Sequence, residues 1–132
     1  TKDRIEEALV EKVNQVENRI HQLEKIALSL PYETRYVYRD DILYFQIDNG
    51  IFVLLKDGTK LSLVNETLKE IETTLSDSFV RVNNNVLINF SKVDHLDVKN
   101  HKIIMLDGTV ISVSVRRWKK VKEHYIQMRT SI

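Results

Sequence analysis

The 132-residue chain contains no cysteine, one proline and three glycines. Without thiols there is no disulfide framework and no thiolate metal site, a composition that suits a reducing cytoplasm. The three glycines, Gly50, Gly58 and Gly108, all sit in Asn-Gly or Asp-Gly turn pairs. A glycine-rich nucleotide-binding loop is thereby excluded. No apolar run approaches the ~18 residues that a membrane helix needs. Nor does a basic segment leading into an apolar stretch open the chain, which argues against a retained signal peptide. A start at Thr1 rather than Met is the expected mark of a fragment or a processed chain.

Catalytic sets are equally scarce. His21, His95, His101 and His124 are scattered, and none has a second histidine or a carboxylate at a metal-ligand spacing. His95 and His101 flank a hairpin and are expected on the surface. Asp40 and Asp41 are adjacent, and in a strand they would point to opposite faces, which is no arrangement for a shared-proton dyad. No serine has a partnered base nearby in sequence. The chain is expected to bind rather than catalyse, with no metal and no cofactor.

What is present is 42% hydrophobic and 30% charged residues, enough for one soluble domain with a core. The net charge of +1 hides an asymmetry. Residues 79–132 hold ten Lys/Arg against four acids, a net +6, while residues 1–78 hold ten against fifteen, a net −5. Such a polarised domain offers one face to a polyanion or an acidic partner; a solvated basic helix is the plainer reading.

Residues 1–30 lack Pro and Gly, and Leu9, Val13, Val16, Ile20, Leu23, Ala27 and Leu30 follow a 4-3-4-3-4-3 spacing. That pattern predicts one long amphipathic helix over 1–30, a coiled-coil seam or linker, ended by Pro31. Its stripe would pair with a second copy or pack on a neighbouring domain. Residues 31–132 form the second unit. "TRYVYRDD", "DILYFQI" and "IFVLLKDGTKLSLV" read as strands separated by "DNG" and "DG" turns. "NETLKEIETTLS" puts Leu68, Ile71 and Leu75 on one helical face, with Asn65 as the expected N-cap. "SFVRV", "NVLIN", "VDHLDV" and "KIIMLDGTVISVSV" are further strands. In "RRWKKVKEHYIQM" Val121 and Tyr125 lie one helical turn apart, which permits a short closing helix; Trp118, beside four cations, could stack or pack, and a core position is expected. The fold class is therefore mostly β, in small sheets with one or two short helices, behind the long N-terminal helix.

Asn83, Asn84 and Asn85 stand together at a turn, and Asn89 closes the next strand. Ordinary turn chemistry accounts for two of them, since Asn tolerates left-handed backbone and forms Asx turns. Asn can also grip adenine N6 and N7, and Arg guanine O6 and N7. An Asn-rich turn beside "VRRWKK" supplies base readers together with phosphate-neutralising charge.

The order "FVRVNNNVLIN", then "LDGTVISVSVRRWKKV", resembles the LytTR DNA-binding domains of bacterial transcription regulators. Phe79, Arg81, Leu87, Ile88 and Asn89 match the family's first block, and Gly108, Ile111, Val113, Ser114 and Arg116 its second. "DILYFQ" is similar to the family's opening strand, and the resemblance covers about residues 34–126. The family's usual His and Ser fall on Asn83 and Asn85, and Val115 separates Ser114 from Arg116, departures that bear on base preference.

The resemblance implies an elongated β fold whose loops, not a recognition helix, enter major grooves of double-stranded DNA and bend it. It implies base contacts from Asn84 and Arg116, with Asn49 a candidate from the loop after the opening strand. Asp48, Arg81, Asn83 and Asn85 would support the loops, and Asn89 the backbone behind the turn. By charge and position, Arg117, Lys119 and Lys120 are the phosphate anchors. It further implies a two-component response regulator in the cytoplasm, a homodimer formed through the N-terminal helix or on DNA, and a receiver or sensor domain upstream. The rival reading is a coiled-coil interaction module whose basic β domain docks an acidic protein.

Overall fold

The computed structural model describes Leu9 and residues 24–130. Among the described residues ten strands form three antiparallel sheets. A hairpin pairs β1 (Lys25–Ser29) with β2 (Thr34–Tyr38). The central sheet joins β3 (Ile42–Ile47), β4 (Ile51–Leu55), β5 (Lys60–Leu63), β6 (Phe79–Asn83) and β7 (Val86–Asn89) in the order β5-β4-β3-β7-β6. The third sheet is β8 (Val93–Asp97), β9 (Lys102–Met105) and β10 (Val110–Ser112), with β9 in the middle. Helix α1 (Leu68–Thr74) precedes β6, and α2 (Val115–Thr130) follows β10.

Both faces of the central sheet are covered. On one face Phe45, Val53 and Leu87 pack with Phe79, with Leu28 and Val37 of the hairpin, and with Leu68, Ile71 and Leu75 at α1. On the other, Tyr44 and Ile88 pack with Ile103 and Met105 of β9 and Val121 of α2. This explains why the opening strand reads as a continuous apolar run rather than an alternation. Ile42, Leu43, Tyr44 and Phe45 are all buried because Ile42 and Phe45 enter one core and Leu43 and Tyr44 the other, a bulge between Ile42 and Tyr44 interrupting the strict alternation.

Three expectations need correction. The long helix does not reach residue 30, because Lys25–Ser29 is a strand that pairs with β2 and sends Leu28 into the core while Ala27 stays exposed. Leu9 is helical and exposed, and the seam positions Val13, Val16, Ile20 and Leu23 lie outside the described residues. Helix α1 is capped by Thr67, whose hydroxyl accepts from the Glu70 amide at 3.2 Å, and not by Asn65, which takes a left-handed φ of 58° in the preceding linker. The closing helix is 16 residues long, not short.

Asp40 and Asp41 lie in a 3-10 turn rather than a strand, and each meets a lysine. Lys92 Nζ donates to Asp40 at 2.7 Å, and Lys56 lies 3.0 Å from Asp41. Among the described residues no group of three His, Cys, Asp or Glu side chains is placed to hold a metal. No helix among them is long and apolar enough to cross a membrane.

Candidate nucleic-acid interface

Chain direction and pairing set the position of the Asn turn. β6 and β7 are joined by Asn84 and Asn85, and β7 lies beside β3. The turn after β3, residues 48–50, therefore emerges at the same end of the sheet, and the Ile47 amide donates to the Asn85 carbonyl at 2.8 Å. Asn49 and Gly50 have φ of 52° and 106°, the backbone that Asn-Gly adopts at little cost. Asp48 and Asn49 are exposed there.

The three asparagines divide their work. Asn83 Oδ1 accepts from the Asn85 amide at 2.8 Å, an Asx turn, while its Nδ2 donates to the Ser112 carbonyl at 2.7 Å. Asn83 thus fastens the turn to the strand that leads into α2. Arg81 holds the turn from below, donating through Nε to the Asn83 carbonyl at 3.2 Å and through Nη2 to the Asn84 carbonyl at 2.7 Å. Asn84 is left exposed at the tip, with its Oδ1 3.4 Å from Arg117 Nη1.

Asn89 serves elsewhere. It sits at the far end of β7 from the tip, fully buried, and donates to the Arg39 and Ile42 carbonyls. It secures the turn before β3, not the backbone behind the Asn cluster.

Helix α2 begins beside the turn, because the Ser114 amide donates to the Val82 carbonyl at 2.9 Å and so ties the helix entry to β6. Trp118 stacks on His101, with centroids 4.5 Å apart and rings 12° from parallel. It packs against the core but is only half-buried, a mixed outcome for the expected core role. Of the hairpin histidines His95 is exposed, while His101 lies under this stack.

A groove of about 460 Å³ runs over the edge strand β6 between α1 and α2. Arg81, Arg116, Arg117 and Lys120 line it from two elements, with Glu72 on the α1 side. Arg117's guanidinium is held below its ordinary value by burial first, then by the Arg116 and Arg81 charges, against a smaller opposing pull from Glu72. A crowded cation of this kind is relieved by an incoming anion.

The structure therefore brings Arg81, Asn83, Asn84, Arg116, Arg117 and Lys120 together. Asp48 and Asn49 occupy the neighbouring turn, and Lys119 is exposed on α2 outside the groove lining. Sequence reading missed His124 and Glu72. The spacing of Arg116, Lys120 and His124 by four puts them on one helical face and could have revealed the histidine. No local pattern marks Glu72.

His124 packs edge-on to Phe90 with centroids 4.4 Å apart, and its imidazole is pushed below the ordinary 6.5 by burial and then by Lys120. The unfolded chain then binds this proton at a higher pH than the folded one. Stability is expected to fall as the pH drops below 6.5, and to level off below the folded value. Denaturant titrations of the wild type and His124→Phe across this range check the prediction. An unchanged pH slope in the variant would assign the loss to other groups.

The described residues thus form a three-sheet β body with loop-borne amides and a cationic groove beside them. The comparisons are more specific. The LytTR family model, described as the LytTr DNA-binding domain, matches residues 32–126. The chain belongs to that family, so DNA binding in transcription regulation is the role of this domain. Among solved structures, the LytTr DNA-binding domain of a methyl-accepting/DNA response regulator from Bacillus cereus is similar in fold. The two share 18% identity at a TM-score of 0.61, over 77% of this chain and 95% of the other. No curated protein matches.

Proposed function

We propose that this chain is the sequence-reading part of a cytoplasmic bacterial response regulator, acting on double-stranded DNA downstream of a receiver or sensor domain and dimerising on its target. The observation that carries the reading is the Arg81 clamp. It fixes the carbonyls of Asn83 and Asn84, so the Asn84 side chain is left exposed at the tip, where its Oδ1 accepts from Arg117 Nη1 at 3.4 Å, close to the start of α2. In this reading Asn84 and Arg116 reach base edges in one major groove, and Asn49, supported by Asp48, reads from the neighbouring turn. Arg117, Lys119 and Lys120 hold the backbone phosphates, and the DNA bends to bring both turns into contact.

The test separates readers from anchors. Arg116→Ala is expected to cost about 1–3 kcal/mol on the specific site and little on random duplex. Lys119→Ala is expected to weaken both duplexes alike and lower the salt slope by about one. Fluorescence anisotropy across a salt series measures both. Equal losses from the two changes on both duplexes would dissolve the division of labour. An absence of DNA binding at low salt would leave the acidic-partner module as the better account of the cationic face.

A further inference from the structure

The cationic groove contains one acid. Glu72 lies on α1 facing β6, with its Oε2 3.7 Å from Arg81 Nη1. That oxygen is buried, yet it accepts no hydrogen bond from the described residues. The arrangement is unlike the other ion pairs around Arg81's strand. Arg39 donates to Asp77 at 2.8 Å and Lys92 to Asp40 at 2.7 Å, charge-assisted hydrogen bonds of ordinary length. Arg81 has instead committed its Nε and Nη2 to the turn carbonyls, so Glu72 shares only the field of Arg81 and Arg117. The side chain as a whole is 37% exposed, so the carboxylate is only partly desolvated, and its charge acts on Arg81 and Arg117 through a partly screened field.

We infer that Glu72 is an internal competitor for phosphate, seated where a backbone phosphate would draw on the same guanidinium groups, and that it holds down binding to DNA of any sequence. A phosphate entering the groove meets Arg116, Arg117 and Lys120, but also the negative charge of Glu72 on the α1 side. Sequence-independent affinity, which is almost wholly electrostatic, bears this penalty in full. Specific binding bears it too, but adds the base contacts at the turn tips that random DNA does not supply. The repulsive element lowers the floor and leaves the difference to the readers, which is how a binder discriminates by more than attraction. This inference rests on the DNA reading proposed above and adds to it a residue that sets specificity without touching a base.

The experiment compares wild type with Glu72→Gln on random duplex and on heparin over a salt series. Gln keeps the shape and an acceptor oxygen while removing the charge. The variant is expected to bind random duplex about fivefold more tightly, the upper scale of a partly exposed charge pair. Its salt slope should steepen by up to about one. The same direction is expected on heparin. Adding Arg117→Gln in the Glu72→Gln background should remove both gains, because the freed cation is then gone.

Unchanged affinity and slope in Glu72→Gln would overturn the inference. Weaker binding would also overturn it, making Glu72 a support for Arg81 instead. If Glu72→Gln does not fold by circular dichroism, Glu72→Ala on this helix face carries the same expectation. A wild type that binds heparin but no duplex would refute the DNA reading, while the heparin arm would still decide the role of Glu72.

Discussion

Asn89→Ala is expected to destabilise the domain by about 3 kcal/mol, although it removes only a small polar side chain. Asn89 is 1% exposed and uses its whole amide. Nδ2 donates to the Arg39 and Ile42 carbonyls at 3.2 and 2.9 Å, and Oδ1 accepts from the Ser91 amide and hydroxyl at 3.2 and 2.7 Å. Alanine leaves the Ile42 carbonyl and the Ser91 amide without that partner at the junction of β7 with the turn before β3, and takes one of two donors from the Arg39 carbonyl, which still accepts from the Ile42 amide. Each buried backbone group stranded in this way costs about 1 kcal/mol or more. The Ser91 hydroxyl adds little, since Ser91 is exposed and can turn to water. Asn89→Asp should be no milder, because a carboxylate oxygen would then face the two carbonyls. Urea unfolding measures both variants. A loss below about 1 kcal/mol in Asn89→Ala would mean that the junction relaxes onto other donors.

Trp118→Ala is the second large effect, and it joins stability to DNA reading. The ring packs against the core that holds Val113 and Val121 and stacks on His101. His101 itself has a left-handed φ of 52°, and its carbonyl accepts from the Val113 amide at 2.9 Å. The stack thus pins the turn between β8 and β9 to the first turn of α2, two residues from Arg116. Half-buried truncation should cost about 2–3 kcal/mol, below the range for a fully buried aromatic. At a temperature where the variant remains folded, specific binding should fall by much of the Arg116 contribution, about 1–2 kcal/mol, while random-duplex binding changes little. Trp118→Phe should recover most of both. If Trp118→Ala loses stability but keeps its preference for the specific site, the ring is packing alone and the link to Arg116 is wrong.

Much of the β body could be read in the sequence because its strands are bounded by Asn-Gly and Asp-Gly turns at Gly50, Gly58 and Gly108. The Asn83–Asn85 turn and the basic start of α2 were also visible, since each is a local composition. The failure at residues 25–30 has a physical reason. Ile26, Leu28 and Leu30 alternate as a strand, while Ala27 and Leu30 continue the helical seam, and local sequence supports both periods. Pairing with β2 and burial of Leu28 decide between them, and neither is local. The cap of α1 was readable in principle, because Thr67 and Glu70 stand at capping-box spacing, but Asn65 has the stronger N-cap preference. Asn89 was read correctly as closing its strand but given the wrong duty, because the carbonyls it meets, those of Arg39 and Ile42, are remote in sequence. The groove was the least legible feature. Glu72, Arg81 and Arg117 are far apart in sequence and meet only when two helices flank one edge strand.

The Arg81 clamp has a consequence for how such a domain diversifies. Arg81 grips carbonyl oxygens at positions 83 and 84, and Asn83 supplies the Asx turn, so nothing in the fastening depends on which side chain position 84 carries. Position 84 also has no left-handed backbone, unlike position 49, where a φ of 52° narrows the choice to residues that tolerate it. Descendants of this chain can therefore exchange the residue at 84 without endangering the scaffold; on the reading proposed above, in which position 84 meets a base, single substitutions there would give new target sites. On the same proposed reading, position 49 would change more slowly, because its backbone admits fewer residues.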